Sequence, residues 1–293
     1  MNLESKFIRM RDNVELHAQI SEIDSDLWLI ATHGIGEHME RHAYLRDLVG
    51  SDFNILQYDL RGHGKSLGTA ASISDFEQYR LDLEDLINFL IERYKMKKFV
   101  LFGHSMGALI TAGFVQNYRA EKYSPSLVYL NAPPAGFPGP LGTIVDNVSL
   151  PIFEKLAGIN NSMRLGGLVD LNYLSHDPHV KERYINDPLN ALKLHTKLLL
   201  QLAKDSKRIF SKAINPNCPA FVSWGSEDRI VSPDHLKKYF STIEKKFEVK
   251  VFDGAFHEIH NEVEKFRQPY FEYLSSCLKK ALTNKTFEEN NHE

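Results

Sequence analysis

The chain has 293 residues, 43% of them hydrophobic and 25% charged, enough apolar material to bury a large core under a polar surface. A formal net charge of −3 gives no electrostatic reason to expect nucleic acid as a partner, and no stretch approaches the roughly 20 apolar residues that span a bilayer. Cys218 and Cys277 are too few for a disulfide framework, and Met1 to Lys6 has no apolar core of a signal peptide, so a cytoplasmic location is expected, with visits to a lipid surface from that side.

Val14 to Ile20 alternates apolar and polar residues, as a half-buried strand does. Leu27 to Ala31 is continuously apolar, which suits a strand covered on both faces, and it runs into the glycine-containing loop Thr32-His33-Gly34-Ile35-Gly36-Glu37-His38. Glu40 to Val49 reads as a short helix and Asn54 to Tyr58 as a strand. Leu83, Leu86, Ile87, Leu90, Ile91 and Tyr94 then mark one apolar helix face. Phe99 to Phe102 ends in Gly103-His104-Ser105-Met106-Gly107, a G-x-S-x-G turn from strand to helix, and Leu127 to Leu130 forms one more strand. Strands alternating with helices predict a mostly parallel sheet flanked by helices.

At Asn131 the rhythm stops. The run Pro133-Pro134-Ala135-Gly136-Phe137-Pro138-Gly139-Pro140 suits neither a strand nor a helix interior, and no convincing strand follows until about Phe210. Apolar helical pieces fill the interval, among them Ile144 to Leu156 and Leu189 to Leu202. A connection this long, placed between two strands, predicts a lid over the carboxyl edge of the sheet. The sheet resumes at Ala220 to Trp224. Pro233 to Phe240 reads as a helix, Phe247 to Phe252 alternates as a strand, and Val263 to Lys280 is an amphipathic helix. The polar end, residues 283–293, is expected to be disordered. The resulting division is a core of residues 1–132 and 216–282 and a helical cap of residues 133–215.

A serine hydroxyl is a weak nucleophile at neutral pH and needs a base backed by a carboxylate. Ser105 sits in the turn where a strand meets a helix, and Asp228 and His257 each follow a later strand, which brings them to the same sheet edge. Asp253 is a rival acid only four residues before His257; its closeness suits a turn cap better, and Asp228 is preferred. Negative charge on an attacked carbonyl needs waiting donors, for which the main-chain N–H groups of Met106 and Ile35 are the candidates. His33, His38 and His42 straddle a loop and a helix start and make a poor metal set. His257-Glu258-Ile259-His260 is one residue short of H-E-x-x-H, and Gly64-Lys65-Ser66 lacks the first glycine of a phosphate loop, where Asp59 stands.

Together, His33-Gly34-Ile35-Gly36-Glu37-His38, Tyr58-Asp59-Leu60-Arg61-Gly62-His63-Gly64-Lys65-Ser66, Gly103-His104-Ser105-Met106-Gly107, Gly225-Ser226-Glu227-Asp228 and the late His257 resemble the α/β-hydrolase superfamily, in its monoacylglycerol lipase and lysophospholipase branch, which is related to the serine aminopeptidases. The resemblance implies an α/β fold with the helical cap inserted after the sixth strand. It also implies a triad of Ser105, Asp228 and His257, oxyanion donors at Ile35 and Met106, and neither cofactor nor metal. Ala108 stands where the family commonly has a third glycine. The expected activity is hydrolysis of monoacylglycerol-type single-chain esters through an acyl-enzyme. A lysophospholipase, a general carboxylesterase and a serine aminopeptidase are the alternatives. The aminopeptidase would need cap carboxylates among Glu154, Asp170, Asp177, Glu182 and Asp187. The dense apolar segment from Ile144 to Ile159 predicts that Leu150 and Phe153 line the acyl pocket or meet lipid.

Overall fold

The computed structural model describes residues 2–118, 120–158, 162–167 and 169–283; the expected disordered tail therefore lies, but for Thr283, outside the described residues. Eight strands form one sheet in the order β1-β2-β4-β3-β5-β6-β9-β10: β1 (Asn2–Arg9), β2 (Glu15–Glu22), β3 (Leu27–Thr32), β4 (Asn54–Tyr58), β5 (Lys98–His104), β6 (Leu127–Asn131), β9 (Ala220–Gly225) and β10 (Phe247–Phe252). From β4 to β10 the pairings are parallel, and β1 and β2 are antiparallel additions at one edge. The continuous apolar runs occupy the middle of the sheet, where β3, β4, β5, β6 and β9 are buried along their length except for the first residue of β5. Helices cover both faces. On one side α2 (Glu77–Tyr94), α3 (Met106–Asn117) and α8 (Pro233–Thr242) pack on a core that includes Trp28, Leu101 and Trp224. On the other, α1 (Tyr44–Val49) and α9 (Glu264–Thr283) pack on Leu29, Phe102 and Tyr129.

Several local expectations are corrected. β1 precedes the first strand read from the sequence; Leu3 and Phe7 point to solvent, so no buried stripe marks it. Glu40 to Val49 divides into a 3₁₀ turn, Met39–His42, and α1. β10 does not alternate in burial: its two end phenylalanines are buried and the four residues between them exposed, as at a sheet edge.

Between β6 and β9 the chain makes α4 (Gly139–Asn147), α5 (Leu150–Ala157), β7 (Arg164–Gly166), α6 (Pro178–Asn186), β8 (Lys193–His195) and α7 (Thr196–Ile209). The apolar run from Ile144 to Leu156 is two helices rather than one, because Val148 and Ser149 are extended and Pro151 opens the second helix. Leu189 to Leu202 is helical only from Thr196. β7 and β8 pair antiparallel, a two-stranded element where no strand was expected. α7 is tied to the sheet domain by Arg80 of α2, which is fully buried and bonds Asp205 at 2.5 Å and also Glu77.

Candidate active site

β5 ends at His104 and is followed by Ser105, whose φ of 52° and ψ of −119° lie outside the ordinary regions for a residue with a side chain. Such a conformation costs about 1–3 kcal/mol and is kept only where the surroundings impose it. The two flanking glycines show what imposes it. A Cβ at Gly103 would stand 2.5 Å from the Gly107 carbonyl oxygen, and one at Gly107 would stand 2.2 Å from the Thr32 carbonyl oxygen. β5 and α3 therefore meet closely enough to force the turn, and the Ser105 N–H donates to the Asn131 carbonyl at 2.8 Å. Ala108, at the third-glycine position, is fully buried beside Gly103 and leaves the turn intact.

The structure brings Ser105, His257 and Asp228 into one hydrogen-bonded line. His257 Nε2 is 3.1 Å from Ser105 Oγ, and His257 Nδ1 is 2.6 Å from Asp228 Oδ2. The other oxygen of Asp228 accepts the N–H groups of Ile230 (2.8 Å) and Val231 (3.0 Å), which fixes the carboxylate and leaves Oδ2 to the imidazole. Asp253 is exposed and accepts from Ser226 Oγ at 2.9 Å, in a turn beside the line. Burial works against the imidazolium of His257, but the Asp228 carboxylate, with Glu258 and Glu37 behind it, raises its pKa above the ordinary value. His104 and His260 are held well below that value, chiefly by burial, so they stay neutral beside it.

Ile35 and Met106 flank Ser105, and neither of their N–H groups donates to a protein acceptor among the described residues. The loop carrying Ile35 is anchored from below and above. Below, the Gly34 N–H donates to Glu37 Oε1 at 2.5 Å; Glu37 is also bonded by His42 Nε2 (2.9 Å) and Arg41 Nε (3.0 Å), and Arg41 reaches Glu258. Despite burial, His42, His104 and Arg41 hold Glu37 well below the usual carboxylate range. Above, the Gly36 carbonyl accepts Tyr184 O–H and the Ala191 N–H, each at 2.8 Å. The inserted segment also binds the histidine loop: the His257 N–H donates to Tyr173 O at 3.3 Å and the Glu258 N–H to Leu174 O at 2.8 Å. Glu37 and Arg41 lie within or beside a motif legible in the sequence; Tyr184 and Ala191 carried no signal there, because only packing brings them to Gly36.

Two cavities meet at Ser105. One, of about 270 Å³, is lined mainly by apolar side chains such as Leu165, Leu174 and Leu192, with Glu37, Tyr184, His257 and Glu258 on part of its wall. The other, of about 230 Å³, is walled mainly by apolar side chains, among them Met106, Val145, Leu199, Leu202 and Ala203, with Asp170 and Arg229 also on its wall. Leu150 and Phe153 are not brought to either cavity. Phe153 is buried against Val145 and Ala203, with Phe137, Val148 and Leu200 around it, and Leu150 is half-buried at the start of α5. Val145 and α7 provide the wall instead. Ile144, Ile152 and Met163 of the inserted segment are 59%, 49% and 68% exposed.

The histidines weighed for a metal have other partners. His33 Nε2 accepts the Leu60 N–H at 2.9 Å, His38 bonds Asp187 at 2.8 Å and His42 bonds Glu37. No metal-binding group of His, Cys, Asp or Glu occurs among the described residues. Among the same residues no helix is long and apolar enough to cross a membrane. Gly64-Lys65-Ser66 folds back on Asp59, which accepts the Lys65 N–H at 2.9 Å.

The chain is similar to curated and solved proteins over most of its length. It is 25% identical over 264 residues to the abhydrolase domain-containing protein DDB_G0269086 of Dictyostelium discoideum, covering 86% of this chain but only 26% of that much longer protein. It is 28% identical over 255 residues to the monoglyceride lipase of Homo sapiens, covering 84% of this chain and 80% of the relative. The crystal structure of Paleococcus ferrophilus monoacylglycerol lipase superposes with a TM-score of 0.72 at 25% identity, over 94% of this chain and 100% of that one. A family profile described as serine aminopeptidase, S33, matches residues 24–264. With an α/β-hydrolase sheet, five motifs in order and a profile match across most of its length, the chain belongs to the serine aminopeptidase S33 family of α/β-hydrolases.

Proposed function

We propose that this hydrolase is a serine carboxyl-ester hydrolase of single-chain lipid esters of the monoacylglycerol type. The observation that carries the reading is the pair of largely apolar cavities meeting at Ser105, the first walled by Val145, Leu199, Leu202 and Ala203 and the second bearing Glu37, Tyr184 and Glu258 on part of its wall. An acyl chain fits the first and a small polyol leaving group the second. As Ser105 Oγ attacks the ester carbonyl, His257 Nε2 takes its proton and Asp228 stabilises the imidazolium. The N–H groups of Ile35 and Met106 receive the oxyanion. His257 then protonates the departing alcohol, and a water activated by the same imidazole releases the fatty acid from the acyl-enzyme.

The S33 name raises a peptidase reading, which needs a carboxylate free to hold a substrate amine. Of the inserted segment's candidates only Asp170 lines the cavities, and its Oδ1 accepts the N–H and side-chain amide of Asn172 at 3.0 and 2.8 Å. Asp177 caps α6 and Asp187 bonds His38; Glu154 and Glu182 line neither cavity. Glu37 and Glu258 are committed to Arg41. These commitments favour the ester.

Residues 133–215 serve in this reading as a cap over a core of residues 1–132 and 216–282. The exposed Ile144, Ile152 and Met163 would touch a lipid surface. The test is kcat/KM across acyl esters from two to sixteen carbons, with lysophospholipids and aminoacyl anilides alongside. Efficiency is expected to climb with chain length; a profile peaking at two carbons, or a preference for anilides, overturns the lipase reading.

A further inference from the structure

Away from the pocket, a second serine stands in series with a histidine and an aspartate. Ser5 of β1 has its Oγ 2.9 Å from His17 Nε2, and His17 Nδ1 is 3.0 Å from Asp59 Oδ2. Asp59 accepts the Met39 N–H on Oδ1 and the Lys65 N–H on Oδ2, both at 2.9 Å. Although burial opposes ionisation, these bonds and nearby His33 hold its carboxyl below the usual range. A carboxylate can only accept, so the His17 Nδ1–H donates to Asp59, which leaves Nε2 bare to accept the Ser5 O–H. The tautomer is fixed by the logic that fixes it at His257.

The line opens outward. Asp59 and His17 are buried, whereas Ser5 is exposed on the strand. Leu3 and Phe7, two residues either side on the same face of β1, are 44% and 53% exposed and give an apolar footing next to the hydroxyl. The Phe7 ring lies 5.4 Å from the His17 ring. The strained turn that presents Ser105 has no counterpart here, since β1 pairs regularly with β2 from Asn2↔Glu22 to Arg9↔Glu15, and the N–H groups left open along this edge strand lie in the plane of the sheet, away from a hydroxyl on its face. Each oxyanion donor is worth on the order of 100- to 1000-fold in rate, so the arrangement suits capture of an activated electrophile and not repeated turnover.

We propose that Ser5, backed by His17 and Asp59, is a second nucleophilic serine that accepts an acyl group once from activated apolar esters. Ser5 Oγ bonds the acyl carbon as its proton passes to His17 Nε2. The bond to the leaving phenolate or thiolate breaks, the leaving group takes that proton, and the acyl group remains as an ester on Ser5.

The experiment uses full-length Ser105→Ala protein, in which the main site is silent, and 4-nitrophenyl butyrate as the probe. Trypsin cleavage after Lys6 releases residues 1–6, in which Ser5 is the only hydroxyl side chain, and fragmentation separates it from the terminal amine. A butyryl adduct is expected on Ser5, forming well ahead of any adduct on the exposed Ser211 and Ser241, whose hydroxyls bond carbonyls. Adding His17→Gln is expected to slow it by about 100-fold, the usual contribution of a positioned base. Retained esterase turnover in His17→Gln with Ser105 present verifies that the variant folds. Ser5 reacting no faster than Ser211 and Ser241, or at an unchanged rate in a folded His17→Gln variant, overturns the proposal. The comparison among serines within one protein decides the matter even if His17→Gln fails to fold.

Discussion

Replacing Asp228 by asparagine tests the line at its least replaceable joint. Oδ1 of Asp228 is held by the N–H groups of Ile230 and Val231, so an asparagine will keep its carbonyl oxygen there and turn its amide nitrogen towards His257. A donor 2.6 Å from Nδ1 demands the tautomer with the proton on Nε2, and that nitrogen can no longer accept from Ser105. Wrong-tautomer variants of this kind lose about 10⁴-fold in kcat, equivalent to about 5.4 kcal/mol in the barrier. The fold should be unaffected, since both main-chain bonds survive. The control is Asp253→Asn: its Oδ1 can still accept from Ser226, and the loss should stay under about tenfold. The assay is steady-state hydrolysis of a soluble acyl ester, paired with thermal melting and fluorophosphonate labelling of Ser105. A loss below tenfold for Asp228→Asn, or a greater loss for Asp253→Asn, would refute the assignment of the acid.

Other consequences can be checked independently. Ser105→Ala should abolish ester turnover and fluorophosphonate labelling at the main site while melting within a few degrees of the parent; undiminished labelling there would remove the nucleophile. Because His257 must be neutral to accept a proton and its pKa is raised above 6.5, kcat/KM should fall on the acid side with a midpoint above that value, and a midpoint below it contradicts the role of Asp228. Each methylene buried in the apolar cavity contributes about 0.8 kcal/mol, roughly fourfold in kcat/KM; Ala203→Trp should cut that climb short while acetyl ester hydrolysis persists. Arg80→Met strands the buried Asp205, and since Arg208 still bonds it at 2.8 Å the cost should be near the low end for a broken buried pair, about 3 kcal/mol by urea denaturation.

The parts legible in sequence were those that a short window determines. Leu27–Ala31 and Phe99–Phe102 are apolar throughout, and Asn54–Tyr58 is buried throughout, because helices cover both faces; Ser105 and Asp228 come soon after the buried strands β5 and β9, and His257 after the edge strand β10. β1 was not legible because an edge strand is held by main-chain pairing with β2, and Leu3 and Phe7 face water. β7 and β8, three residues each, exist only through each other. The pocket wall failed for a similar reason. The break at Val148–Ser149 re-aims α5, so Phe153 packs on Val145 and Ala203 while Val145 and α7 face the cavity. No periodicity within 144–156 carries that information, which resides in the contact of α5 with α7.

The doubly bonded carbonyl of Gly36 limits how this enzyme can be rebuilt. Tyr184 and Ala191 both end on it, so a foreign segment spliced in place of residues 133–215 would leave that oxygen without its partners and the neighbouring Ile35 N–H without its upper anchor. Exchange of specificity by swapping the whole segment should therefore damage turnover even on substrates too small to reach the replaced walls. Grafts that retain a tyrosine at 184 and the backbone path through 191 escape the penalty. Variation is cheapest at positions such as Ile144 and Ile152, whose side chains face solvent and line neither cavity at Ser105.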